Sequence, residues 1–218
     1  MLFFDAKVSL RDQRLLLLLE PAVMFALIML YIWRLRVAHQ PWAALAIFCM
    51  MLMSHYRRGE SPGDLGFCKS NFRACVRVFS PALLFISLTL LAAGILVQTL
   101  RGLELERAVL GFMAYCVWGL FQQYLLNAYF VNRLLAGSAN PAHAATLGAA
   151  CFSCAHAPNW FLMIVGFAAG YCAARVWIRY RNLWFLGLAH GAIGLMLYLV
   201  VPDSISHHLA VGPGWFGK

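Results

Sequence analysis

Between residues 107 and 202 the chain has no carboxylate side chain. All eight acids, Asp5, Asp12, Glu20, Glu60, Asp64, Glu104, Glu106 and Asp203, lie outside that stretch. A general base or metal ligand of the Asp or Glu type is therefore not available locally in nearly half of the protein. Charge is scarce throughout. Charged residues make up 11% of the 218 positions, against about a quarter in a soluble domain. With 63% hydrophobic residues and a mean hydropathy of +0.75, the sequence excludes a water-soluble globule and requires lipid as its solvent. Paired disulfides are not indicated either. The seven cysteines are odd in number, and Cys49, Cys116, Cys151, Cys154 and Cys172 lie inside apolar stretches, where thiols behave as small hydrophobes. No internal repeat, low-complexity tract or long linker is present.

What charge there is is basic, giving a net +9. Lys and Arg fall mainly between hydrophobic runs, the place for orientation signals and lipid headgroup contacts rather than for nucleic acid. Seven apolar runs are legible, at roughly 15–33, 41–54, 79–100, 108–131, 143–157, 159–178 and 183–201. The second and fifth are short for a full crossing. The expected fold class is all-α, a polytopic membrane helical bundle of about seven transmembrane helices, within a range of six to eight. The three stretches are an interfacial amphipathic segment at 1–14, the bundle at 15–201, and a short C-terminal tail at 202–218 in which His207-His208 reads as solvated and flexible. In a seven-span arrangement twelve basic residues, including Arg57, Arg58, Lys69, Arg73, Arg77, Arg133 and Arg181, share the N-terminal side and five the other. That bias predicts a cytoplasmic N-terminus in a bacterial-type plasma membrane. The first apolar run contains Glu20-Pro21 and lacks an A-x-A type site, so it is expected to be retained rather than cleaved.

Polar side chains inside spans are expensive and carry function by default. The fourth span holds Gln122, Gln123 and Asn127 in FQQYLLNAYFVNR. Gln123 and Asn127 share a helix face, with Gln122 about 100° round. Interhelical hydrogen-bond glue is the plain alternative. The fifth span supplies Phe152 and His156, with Asn159 after Pro158; the seventh supplies His190, thinned by Gly191 and Gly194. Two neutral imidazoles can position a water or a carbonyl. Cys151-x-x-Cys154 is followed by Ala155 rather than His, so the c-type haem pattern is not met. A zinc set of Cys151, Cys154, His156 and His190 would need ligands that a helical C-x-x-C-x-H turns to different faces. No metal and no cofactor is expected.

The order of a paired polar helix, an F-x-x-x-H helix and an H-x-x-x-small helix resembles the CPBP family of intramembrane proteases, which includes the CAAX prenyl endopeptidases. The likeness runs from SPGDLGF at 61–67 to AHGAIG at 189–194. Phe152 to His156 fits its second motif and LGLAHGAIG the surroundings of its third. The resemblance implies a cavity in which a motif glutamate and the first His activate water while the last His and an Asn stabilise the oxyanion. This chain departs from it where those groups act. The family's E-E-x-x-x-R is Gln122-Gln123-x-x-x-Asn127 here, and its final Asn or Asp is Gly194.

Glutamine is no base, whereas general-base help supplies about 10²- to 10⁴-fold in rate, and an oxyanion donor about 10²- to 10³-fold. The expectation is a non-proteolytic relative that binds a lipid, an isoprenoid or a transmembrane partner in the former active-site cavity of Gln122, Gln123, Asn127, His156 and His190, supported by Phe152, Asn159 and Gly194. Two alternatives are an enzyme of changed chemistry on an isoprenoid or polyene, isomerase- or cyclase-like, and a residual endopeptidase of prenylated or transmembrane peptides. Expected partners are membrane lipid, isoprenoid, such a peptide or a membrane protein, and not nucleic acid.

Overall fold

The structure is a computed structural model that describes residues 10–102, 104–138 and 140–217, with side chains from residue 17 onward. Helix α1 (Leu10–Leu30) continues as a π-helical turn, Tyr31–Leu35. Helix α2 (Pro41–Arg57) starts with proline at its first turn, where the missing N–H costs nothing. Next come α3 (Phe72–Leu96) and α4 (Leu105–Gln123). The latter runs through a π-helical stretch, Tyr124–Val131, into α5 (Asn132–Gly137). The bundle is completed by α6 (Pro141–Cys154), α7 (Trp160–Tyr180) and α8 (Leu183–Val200). A short α9 (Asp203–Ser206) follows. Asn140, Asn159 and Asn182 each cap the helix they precede, accepting from Ala142 N at 2.8 Å, Leu162 N at 3.1 Å and Phe185 N at 2.9 Å.

Among the described residues five helical stretches are long and apolar enough to cross a membrane: Leu17–Leu35, Phe72–Leu96, Leu105–Gly137, Trp160–Tyr180 and Leu183–Val200. The two others, α2 at 17 residues and α6 at 14, are the two short runs of the sequence. Large apolar side chains such as Phe85, Leu88, Met113 and Val117 are exposed on α3 and α4, as lipid-facing surfaces require.

Two features differ from the sequence expectation, and a third falls mostly outside the described residues. The fourth helix does not end at 131 but continues to Gly137, which turns Arg133 from a loop charge into a buried one. Of the expected interfacial segment, residues 1–9 lie outside the described residues and 10–14 already belong to α1. The C-terminal stretch is docked rather than flexible. Asn159 Nδ2 donates to Ser206 O and Ala210 O at 2.8 and 3.0 Å, Gly212 N donates to Ala157 O at 2.8 Å, and the His207 ring stacks on Trp215 at 3.7 Å.

The α4–α8 contact fixes the bundle's centre. A Cβ at Gly191 would lie 2.5 Å from Cys116 Sγ, one at Gly119 2.9 Å from the His190 ring, and one at Gly187 3.0 Å from Leu120 Cα. Small residues here let the two backbones touch, the main packing device where lipid removes any hydrophobic drive. At one end of the bundle, the loop after α2 locks onto the α7–α8 turn. Leu183 N donates to Gly66 O at 2.9 Å and Asn182 Nδ2 to Cys68 O at 3.0 Å. Gly66 needs its φ of +80° and its missing side chain, because a Cβ would fall 2.4 Å from the Trp177 ring.

Candidate functional site

Gln123 ends α4 and Asn127 lies one turn on, in the π-helical stretch. As their shared face predicts, the Asn127 amide donates to Gln123 Oε1 at 2.6 Å. Gln123 Nε2 is 3.1 Å from His190 Nδ1 on α8. An amide nitrogen can only donate, so in this arrangement His190 Nδ1 is the bare acceptor and its proton sits on Nε2. Gln123 and Asn127 are buried, whereas Gln122 is half-buried and makes no side-chain hydrogen bond among the described residues.

His156 follows the end of α6, and its Nδ1 lies 2.7 Å from Phe152 O. A carbonyl oxygen only accepts, so this nitrogen carries the proton and Nε2 is left with its lone pair. The Phe152 ring packs edge-on against both imidazoles, at 4.7 Å from His156 and 6.3 Å from His190 between centroids. Gly166 and Gly170 on α7 make room for that ring. The two histidines are thus complementary, His190 presenting a donor at Nε2 and His156 an acceptor. Both are half-buried, and neither Nε2 has a partner among the described residues. Such a pair suits a hydroxyl, a carbonyl or a water.

Asn159 and Gly194 stand apart from this group. Asn159 is spent on capping α7 and holding the tail. Gly194 faces α4, and a Cβ there would come 2.9 Å from the Tyr115 ring. The tyrosine occupies the space that a family Asn would need. Among the described residues no group of three or more His, Cys, Asp or Glu could hold a metal ion.

The fold brings in acids that sequence reasoning placed elsewhere. Arg133, with 1% of its side chain exposed, donates from Nε to Glu20 Oε1 at 3.0 Å and forks onto Glu60 at 2.7 and 2.9 Å. Arg58 reaches Glu20 Oε2 at 2.5 Å, His55 Nδ1 reaches Glu60 at 2.5 Å, and Ser54 and Tyr129 donate to Glu20. Burial alone would raise the Glu60 carboxyl, but hydrogen bonds from His55 and Arg133 outweigh it and bring it down to about 2. Arg133 lies six residues past Asn127, or about 9 Å along the helix. Both carboxylates are consumed by cations there, so neither replaces the missing base beside His156 and His190. Glu20 in the first span and an Arg at the edge of the fourth were the available signals.

Residues 103–196, 94 of the 218, match the family model described as Rce1-like: Type II CAAX prenyl endopeptidase Rce1-like. No curated protein and no solved structure matches the chain. The matched residues include Gln122, Gln123, Asn127, Phe152, His156 and His190; this part of the chain is similar to the Rce1-like CAAX protease family and lies in a bundle of apolar helices, the build of an integral membrane protein.

Proposed function

We propose that this is a non-proteolytic member of the CAAX protease group that binds an isoprenoid-bearing lipid, with the lipid's polar end between His156 and His190. The observation that carries this reading is the Gln123 amide against His190 Nδ1 at 3.1 Å. A glutamate at that position could only accept, which would draw the proton to Nδ1 and leave Nε2 basic. Glutamine, with its Nε2 toward the ring, reverses the tautomer and turns His190 Nε2 into a donor. Gln122 cannot take a proton from water, and that costs about 10²- to 10⁴-fold in rate. Tyr115 against Gly194 closes off the position of a further oxyanion donor. What remains is a neutral hydrogen-bonding pair in an apolar bundle, suited to holding a polar group without attacking it. The test is lipid extraction from purified protein followed by mass spectrometry. Enrichment of an isoprenoid over bulk lipid in wild type, lost in His156→Ala with His190→Ala, is the expected result. A transmembrane peptide in its place, or no enrichment, would count against it.

A second reading draws on the bare Nε2 of His156 beside the Nε2–H of His190. One accepts and the other donates, so the pair could move a proton on a polyene, as an isomerase or cyclase does. Altered isoprenoid products in cells carrying His156→Ala would support it, and unchanged products would not. For orientation, Lys69, Arg73 and Arg181 gather where the loop after α2 meets the α7–α8 turn. This supports placing that end, and the N-terminus with it, in the cytoplasm.

A further inference from the structure

An open groove of about 420 Å³ lies at that basic end, apart from the two histidines, lined by Lys69, Phe72, Arg73 and Trp184. Its floor is built and held. Trp184 meets Phe67 edge-on at 5.6 Å, and Phe72 packs against Phe185 at 6.5 Å. Asn71 anchors the start of α3 by donating to Tyr180 O and accepting from Asn182 Nδ2 at 2.7 Å. Because that side chain is engaged there, it does not cap α3, and the first turn of α3 contains no acid.

Both cations are exposed and form no ion pair among the described residues. Asp64, on the same loop, is engaged by Ser61 at 2.6 and 2.9 Å. An anion is therefore the complementary occupant. The level of the groove narrows the class. Phe72 and Leu183 begin two of the membrane-length helices, so the groove lies where apolar helix gives way to polar loop. Tryptophan is enriched at that depth. A ligand there meets two cations at its polar end and two aromatic faces below.

We propose that this groove binds the headgroup of an anionic phospholipid, with Lys69 and Arg73 on the phosphodiester and the first acyl carbons against Phe72 and Trp184. Basic residues at a membrane surface contribute about fivefold each toward anionic lipid, so loss of both is expected to weaken binding by about 25-fold.

Native mass spectrometry of the full chain, released from detergent with added phosphatidylglycerol or phosphatidylcholine, tests the proposal. Wild type should retain phosphatidylglycerol preferentially, and Lys69→Gln with Arg73→Gln should lose that preference. Arg34→Gln with Arg36→Gln, at the far end of α1, should keep it. Equal retention of the two lipids by wild type would overturn the proposal, as would an unchanged preference in the Lys69/Arg73 variant or an equal loss in the Arg34/Arg36 variant. Displacement of the lipid by millimolar inorganic phosphate would also overturn it, by marking a free-phosphate site. Each single variant is measured alongside, so that a folding defect in the double variant, read by its melting temperature, leaves the outcome decidable.

Discussion

Replacing Arg133 by alanine should be among the most damaging single changes in the protein, although Arg133 lies outside the candidate site. The guanidinium is sealed, with 1% of its side chain exposed, and it bridges Glu20 at 3.0 Å and Glu60 at 2.7 and 2.9 Å. Its plane also lies over the Tyr129 ring, 5.1 Å from the centroid. Glu20 would retain Arg58, Ser54 and Tyr129, but among the described residues Glu60 would keep only His55. Breaking a buried ion pair from one side costs about 3–5 kcal/mol, because the stranded charge remains desolvated. At about 2–4 °C per kcal/mol for a chain of this size, Arg133→Ala should melt about 6–20 °C lower in detergent. Adding Glu60→Gln should recover part of the loss, since it removes the stranded carboxylate. A fall of under about 2 °C, or a double variant worse than the sum of the singles, would refute the reasoning.

Glu60 makes a separate pH prediction. Its folded pKa of about 2 lies below the ordinary carboxylate value of 4.5, so its stabilisation is complete above about 4.5 and is lost as pH falls toward 2; Glu60→Gln should flatten the melting temperature across that window. Gly194→Asn restores a family residue but should destabilise by about 1–3 kcal/mol, since its Cβ would meet Tyr115 at 2.9 Å, and chemical denaturation reads the loss. Asn159→Ala removes a helix cap, worth about 1 kcal/mol, and also releases Ser206 O and Ala210 O. Limited proteolysis should then cut within residues 201–217 where wild type resists. Gln123→Glu should move the His190 proton from Nε2 to Nδ1, a change that the ¹⁵N shifts of labelled histidine report directly.

Helix positions were legible because a run of apolar residues long enough to span lipid has few other fates. The shared face of Gln123 and Asn127 followed from four-residue spacing, and the resulting bond is 2.6 Å. The Gln123 to His190 contact joins positions 67 apart, and no local pattern encodes it. It depends on Gly119 and Gly187 bringing α4 and α8 together, a packing outcome set by helix rotation. The Arg133 cluster was missed for a related reason. Its partners lie 113 and 73 residues away, and an Arg after an apolar run reads as a loop charge until the helix is seen to continue. Gly194 looked like a lost catalytic group in the sequence. In the structure it is also the small residue that admits Tyr115.

Incubating purified wild-type protein with a prenylated CAAX peptide, and following both peptide and protein-bound lipid by mass spectrometry, tests the central claim most directly. The account predicts an intact peptide together with an isoprenoid retained by wild type and lost with His156→Ala and His190→Ala. Cleavage of the peptide by wild type, abolished in His156→Ala, would contradict it.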